Sequence, residues 1–115
     1  MGTTGTGKFE DYGQGGGEGD RCDKAFVAEL EEVATCAFYE NHEGLPPVGT
    51  PVLVKVDRRV TVIAADTNEE IGFLPTEFNY LRACIKSGRS YEGLVQSISE
   101  RPLLRVSVDM APSRP

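Results

Sequence analysis

The chain has no tryptophan, one histidine and three cysteines among its 115 residues. Each shortage removes a class of chemistry. His42-Glu43 begins like the zinc-binding H-E-x-x-H, but the chain continues into Gly44-Leu45-Pro46 and has no second histidine to complete the site. Cys22, Cys36 and Cys84 are odd in number, widely spaced and without a C-x-x-C pair. That pattern predicts reduced, buried thiols in a cytosol rather than a disulfide framework or a zinc site. There is no run of about eighteen apolar residues to span a bilayer, and no charged segment leading into an apolar core with a small-residue cleavage site. The expectation is a soluble protein of the cytoplasm, or of the nucleus in a eukaryotic cell, with no membrane partner. Catalytic groupings are equally scarce. Glu31-Glu32 and Glu69-Glu70 read as solvated faces and turns, and no spacing asks Cys36 and His42 to meet as nucleophile and base. The reading is a non-catalytic protein without metal or cofactor.

Basic residues are few overall, 12 against 18 acidic for a net charge of −6, which argues against a protein that coats nucleic acid generically. The deficit is local. Residues 1–50 carry three basic and ten acidic side chains, whereas residues 51–115 carry nine basic and eight acidic. The second half is therefore free to meet a partner of either sign.

Residues 1–20 hold eight glycines and almost no aliphatic side chains, too little to offset the entropy of ordering them, so they read as a disordered acidic tail before a single domain over 21–115. The start, "MGTTGTGKF", nearly spells a phosphate-binding loop with Gly2, Gly7 and Lys8. Phe9 stands where a magnesium-binding hydroxyl is required, and "EDYGQGGGEGD" follows where a helix should begin. No nucleotide is expected. "MGTTGT" also fits a myristoylation pattern in a eukaryotic cell, although one acyl chain beside acidic residues anchors weakly.

From Asp23, apolar residues at 26, 27, 30, 33, 34, 37 and 38 fall on one face of a helix, with Asp23 as its cap and Gly44 as its stop. The later part, "EVATCAFY", is rich in strand formers and is open to recruitment by a sheet. Pro46 and Pro47 make a stiff connector. Beyond it the period becomes two: "VLVKVD" and "RVTVIAAD" predict a hairpin turning at Asp57-Arg58-Arg59, and "EIGFL" a short strand ended by Pro75. Thr76 reads as the cap of a helix through "EFNYLRACIKSG", with Phe78, Leu81, Cys84 and Ile85 as its apolar stripe and Gly88 as its stop. "YEGLVQSIS" and "LLRVSVDM" predict two further strands joined at Ser99-Glu100-Arg101-Pro102. Strands with one helix between the third and fourth predict a mainly β, α+β fold: a five- to six-stranded small barrel of the OB or SH3 type, one end plugged by Phe78, Leu81 and Ile85.

The stretch 51–99, and above all Ile71-Gly72-Phe73-Leu74-Pro75 and Tyr91-Glu92-Gly93, resembles HIRAN domains. The resemblance implies a small β-barrel, with "EEVATCAFY" as its first strand, and a binding function: some members grip the 3′ end of single-stranded DNA through aromatic stacking and polar contacts. The N-P-x-D segment that the family places before its β-branched strand is replaced here by "KVDRRVT".

Two functional readings follow. In the first, the turns at either side of an OB-type binding face present Arg58, Arg59 and Arg101 to the phosphates of a single-stranded nucleic acid, and Phe73 or Tyr91 stacks on a base. In the second, the acidic N-terminal segment and the connector "NHEGLPPVG" dock the chain onto a larger, basic protein partner.

Overall fold

The computed structural model describes residues 21–113. The tail expected over 1–20, with its loop-like and acylation-like motifs, lies outside these residues. Six strands form one antiparallel sheet: β1 Phe26–Glu29, β2 Pro51–Val56, β3 Val60–Ala64, β4 Glu70–Phe73, β5 Tyr91–Ser99 and β6 Arg105–Pro112, in the order β1-β6-β5-β2-β3-β4. Two short helices accompany them, α1 Ala37–His42 and α2 Leu81–Lys86, each preceded by a 3-10 turn, at Val33–Thr35 and Thr76–Phe78. The result is a mainly β half-barrel. Its two outer strands approach each other where Glu31 and Phe73 exchange backbone hydrogen bonds of 2.8 and 3.0 Å.

Alternation decides which faces pack inward. Val52 on β2, Val60, Val62 and Ala64 on β3, Ile71 on β4, Tyr91 and Val95 on β5, and Val106, Val108 and Met110 on β6 are all buried in one cluster. β3 departs from strict alternation, because Thr61 and Ile63 on its other face are also buried. The α1 segment packs on neighbouring β4. Two glycines permit the close approaches that bend the sheet. A Cβ on Gly93 would stand 1.9 Å from the carbonyl oxygen of Asp109, and one on Gly72 would stand 2.8 Å from Leu30 Cβ. Ile71, Gly72, Leu74, Tyr91 and Gly93 thus serve packing, so the two most specific words of the HIRAN resemblance encode the shape of the sheet.

Four expectations are corrected. The helix read over 26–38 is instead β1, a 3-10 turn and α1. Phe26 and Ala28 satisfy a strand's inward face against β6, and that tertiary pairing overrides the local 3.6-residue pattern. "EEVATCAFY" is not the first strand: Glu32 adopts a left-handed backbone at φ 59°, which breaks the extended chain before the turn and α1. The helix after β4 is shorter than read, since Thr76 opens a 3-10 turn, Thr76–Phe78, and the cap position of α2 falls on Tyr80. Gly88, at φ +110°, ends it as expected.

The cysteines are the fourth correction. Cys22 and Cys84 form a disulfide, and only Cys36 remains a free, buried thiol. Sequence spacing gave no hint of this, because the two halves of the bridge are 62 residues apart and meet only when α2 folds over the chain's entry into β1. Around the bridge, Tyr91 Oη donates to the Cys22 carbonyl at 2.6 Å and the Arg21 guanidinium lies 4.0 Å from the centre of the Tyr80 ring. Arg89 Nε sits 2.9 Å from Asp23 Oδ1, at ion-pair distance but without hydrogen-bond alignment. Phe78 and Leu81 are buried in the core cluster, and Ile85 of α2 packs against it. No helix among the described residues is long and apolar enough to cross a membrane.

Candidate functional site

The β2–β3 turn and α2 share one end of the half-barrel. Arg82, in the first turn of α2, donates to the carbonyls of both Asp57 and Arg58, clipping the turn to the helix. Lys86 follows Arg82 by one helical turn and therefore projects from the same side of α2. Arg58, Arg82 and Lys86 are all exposed, and among the described residues no carboxylate lies within ion-pair distance of any of them. Beside the turn lies a concavity of about 300 Å³ lined by Asp57, Arg58, Arg59, Thr61, Glu70 and Phe73. It has room for one planar ring.

The five residues singled out from sequence are not brought together. Arg58 stands at the mouth of the concavity, and half-buried Phe73 forms part of its lining. Arg59 is there too, but its charge is already engaged. It reaches Glu31 at 2.6 Å and Glu32 at 2.9 Å, and its guanidinium covers the Phe73 ring at 4.6 Å from the centroid. The hydrogen bond to Glu31 holds this guanidinium above its ordinary range, against the opposing effect of burial. Arg59 is therefore a strut between the chain after β1 and the sheet.

Tyr91 is 1 % exposed, with its hydroxyl committed to Cys22, so its ring offers no stacking face. Burial raises its phenol above the ordinary value. Arg101 is exposed but lies elsewhere. Leu53 pairs with Glu92, and the two strands run in opposite directions from that point. β2 thus runs toward the β2–β3 turn and β5 toward the β5–β6 turn that carries Arg101, and Arg101 is not among the residues lining the concavity. An alternating pattern identifies both turns but not the ends from which they project.

Arg82 and Lys86 were missed by sequence reasoning, which placed them only on the wetter side of a helix. Their offset of four residues was legible. The contact of Arg82 with the β2–β3 turn was not, because it depends on how α2 folds back.

The "NHEGLPPVG" connector is also partly committed. Asn41 Nδ2 and His42 Nε2 each approach a Glu69 carboxylate oxygen at 2.8 Å, tying the end of α1 to the β3–β4 turn. Asn41 first, and then His42, hold the Glu69 carboxyl below the usual glutamate range. Among the described residues, no group of three or more His, Cys, Asp or Glu side chains is placed to hold a metal ion. Compared with family models, with curated proteins and with solved structures, the chain matches none of them.

Proposed function

We propose that this chain is a non-catalytic binding module that receives a strand or strand end of single-stranded nucleic acid at the end of the half-barrel formed by the β2–β3 turn and α2. The observation that carries the reading is the Arg82 clip. It ties exposed Arg82, with Lys86 one helical turn beyond it, to the turn whose Arg58 lines a concavity shared with Phe73, Asp57 and Glu70. Guanidinium and ammonium groups on one turn and the adjoining helix suit phosphates, and an aromatic-lined recess suits a base. Arg58 and Phe73 remain from the expected set, while Arg82 and Lys86 replace Arg101 and Tyr91.

The small-barrel reading supports the same site. Traced across the ladder from Thr61, one route passes Lys55 and meets β5 near Ser90; the other passes Phe73 and Glu31 and meets β5 near Ser99. An offset of about nine residues along one strand is the kind of stagger that closure of a small, strongly tilted barrel requires. That stagger, with Ile85 of α2 packed against the core, favours an OB- or SH3-like barrel of the HIRAN kind.

The test is fluorescence anisotropy with a labelled single-stranded oligonucleotide over a salt series. Three phosphate contacts give a slope of log affinity on log salt of about −2. Arg58→Glu with Lys86→Glu should weaken binding by about tenfold or more, and Arg101→Glu should leave it within about twofold. Binding that is indifferent to the first pair, or lost with Arg101→Glu, rejects the site.

A further inference from the structure

The outer face of the sheet carries a second surface, around the start of β2. Cross-strand partners in an antiparallel sheet point to the same side. Pro51 on β2 therefore adjoins Leu94 on β5, which adjoins Asp109 on β6, which adjoins Val27 on β1. One step along, Leu53 adjoins Glu92, and Glu92 adjoins Ala111. Leu94 is 51 % exposed although it sits mid-sheet, and Val27, on the outer strand β1, is 54 % exposed. Between the two rows runs an open groove of about 410 Å³, lined chiefly by Pro51, Leu53, Leu94, Ala65 and Ala111, with Glu92 as its charged member. Scattered exposed apolar residues need no explanation, whereas a contiguous groove across several strands marks an interaction surface.

Charge selects the occupant. The groove's carboxylate, Glu92, and the neighbouring Asp109 repel a phosphate backbone and an anionic lipid surface. A second copy of the chain across a two-fold axis would set this acidic pair against itself. We infer that the β2–β5–β6 face docks a protein segment that alternates apolar and basic side chains, its apolar groups seated on Leu53 and Leu94 and its Lys or Arg groups facing Glu92 and Asp109. The chain's overall charge of −6 steers such a partner toward it. This surface is independent of the nucleic-acid reading and stands whether or not oligonucleotides bind.

The full chain is titrated against three short labelled peptides: one alternating leucine and lysine, one alternating leucine and glutamate, and one of lysine and glycine only. The leucine–lysine peptide should bind at least about tenfold more tightly than either of the others. Leu94→Asp is the deciding variant. It makes the face more acidic, so attraction by charge alone would strengthen binding, whereas apolar docking predicts a loss of about tenfold or more. Glu92→Lys with Asp109→Lys should also weaken binding, and far-UV circular dichroism of both variants checks that the sheet is intact. Equal binding of the lysine–glycine peptide, undiminished binding by Leu94→Asp, or a dimer in light scattering that Leu94→Asp dissolves would each overturn the inference.

Discussion

The hydroxyl of Tyr91 donates a 2.6 Å hydrogen bond to the carbonyl of Cys22, joining the first residue of β5 to the chain's entry into the fold across 69 positions of sequence. The same cysteine is bridged to α2. One residue thus receives both a side-chain and a main-chain tether, and the end of the half-barrel beneath the clipped turn is built around it. Tyr91→Phe keeps the buried ring but leaves the carbonyl without this donor. It should cost about 1–2 kcal/mol in urea unfolding, with little change in the dependence on denaturant.

Opening the Cys22–Cys84 bridge releases a loop constraint spanning 62 residues. On the chain-entropy account, that constraint contributes about 4 kcal/mol. Cys22→Ser with Cys84→Ser, or incubation with a dithiol reductant, should lower the midpoint of thermal unfolding markedly and increase hydrogen exchange first around residues 22–28 and α2. A melting temperature that is the same with and without reductant would contradict the bridge.

The two close-approach glycines differ in their tolerance of a side chain. At Gly93 an added methyl would stand 1.9 Å from the Asp109 carbonyl oxygen, whereas at Gly72 it would stand 2.8 Å from Leu30 Cβ, 3.1 Å from the Val33 side chain and 3.2 Å from the Glu31 carbonyl oxygen. Gly93→Ala should cost about 3 kcal/mol or more, because β6 must move, and Gly72→Ala about 1–2 kcal/mol. Chemical denaturation of both variants gives the comparison, and the reverse order would refute the account of the β5–β6 approach.

Glu69 makes α1 attachment sensitive to acid. Its carboxyl is held below the usual glutamate range by Asn41 and then His42, so the folded chain takes up this proton less readily than the unfolded chain. The contribution is complete above the unfolded value, near about pH 4.3, and disappears as pH falls through the lower folded value. Amide exchange in Ala37–His42, corrected for the intrinsic pH dependence of exchange, should therefore rise on acidification through that window. Glu69→Gln should show raised exchange already at neutral pH and a flattened response to acid.

Cys36 should be silent toward thiol reagents in the folded protein. It is 3 % exposed, and burial, followed by the nearby Glu70, Glu32 and Glu40 carboxylates, raises its thiol above the ordinary cysteine value. At about pH 8 an aromatic disulfide reagent should find essentially no thiol in the native, oxidised chain and one equivalent after denaturation. Prompt labelling of the native chain would show that the segment between β1 and α1 opens readily.

Much of the fold was legible because alternation is a local signal. The hairpin at 51–64, the strand at Ile71 and the two closing strands follow from apolar residues at every second position, and Gly88 marked the end of α2 for a simple conformational reason. The segment 26–38 misled because Phe26, Leu30, Val33 and Phe38 suit a helical stripe as well as a bent strand-turn-helix path, and only β6 decides between them. The candidate site was half legible. Arg58 and Phe73 could be found on a turn and a strand end. The neutralisation of Arg59 by Glu31 and Glu32, and the separation of Arg101 from Arg58, depend on register and closure over 27 or more positions.

The exchange of hydrogen bonds between Glu31 and Phe73 has a consequence for association. A sheet of six strands would ordinarily present two open edges, each a template for a foreign strand. Here β4 spends the backbone groups of Phe73 on Glu31, and Leu30 donates to Val106 as the chain leaves β1. The edge is closed at this one point, where the two outer strands meet. A foreign strand seeking to pair with β4 there would first have to displace Glu31.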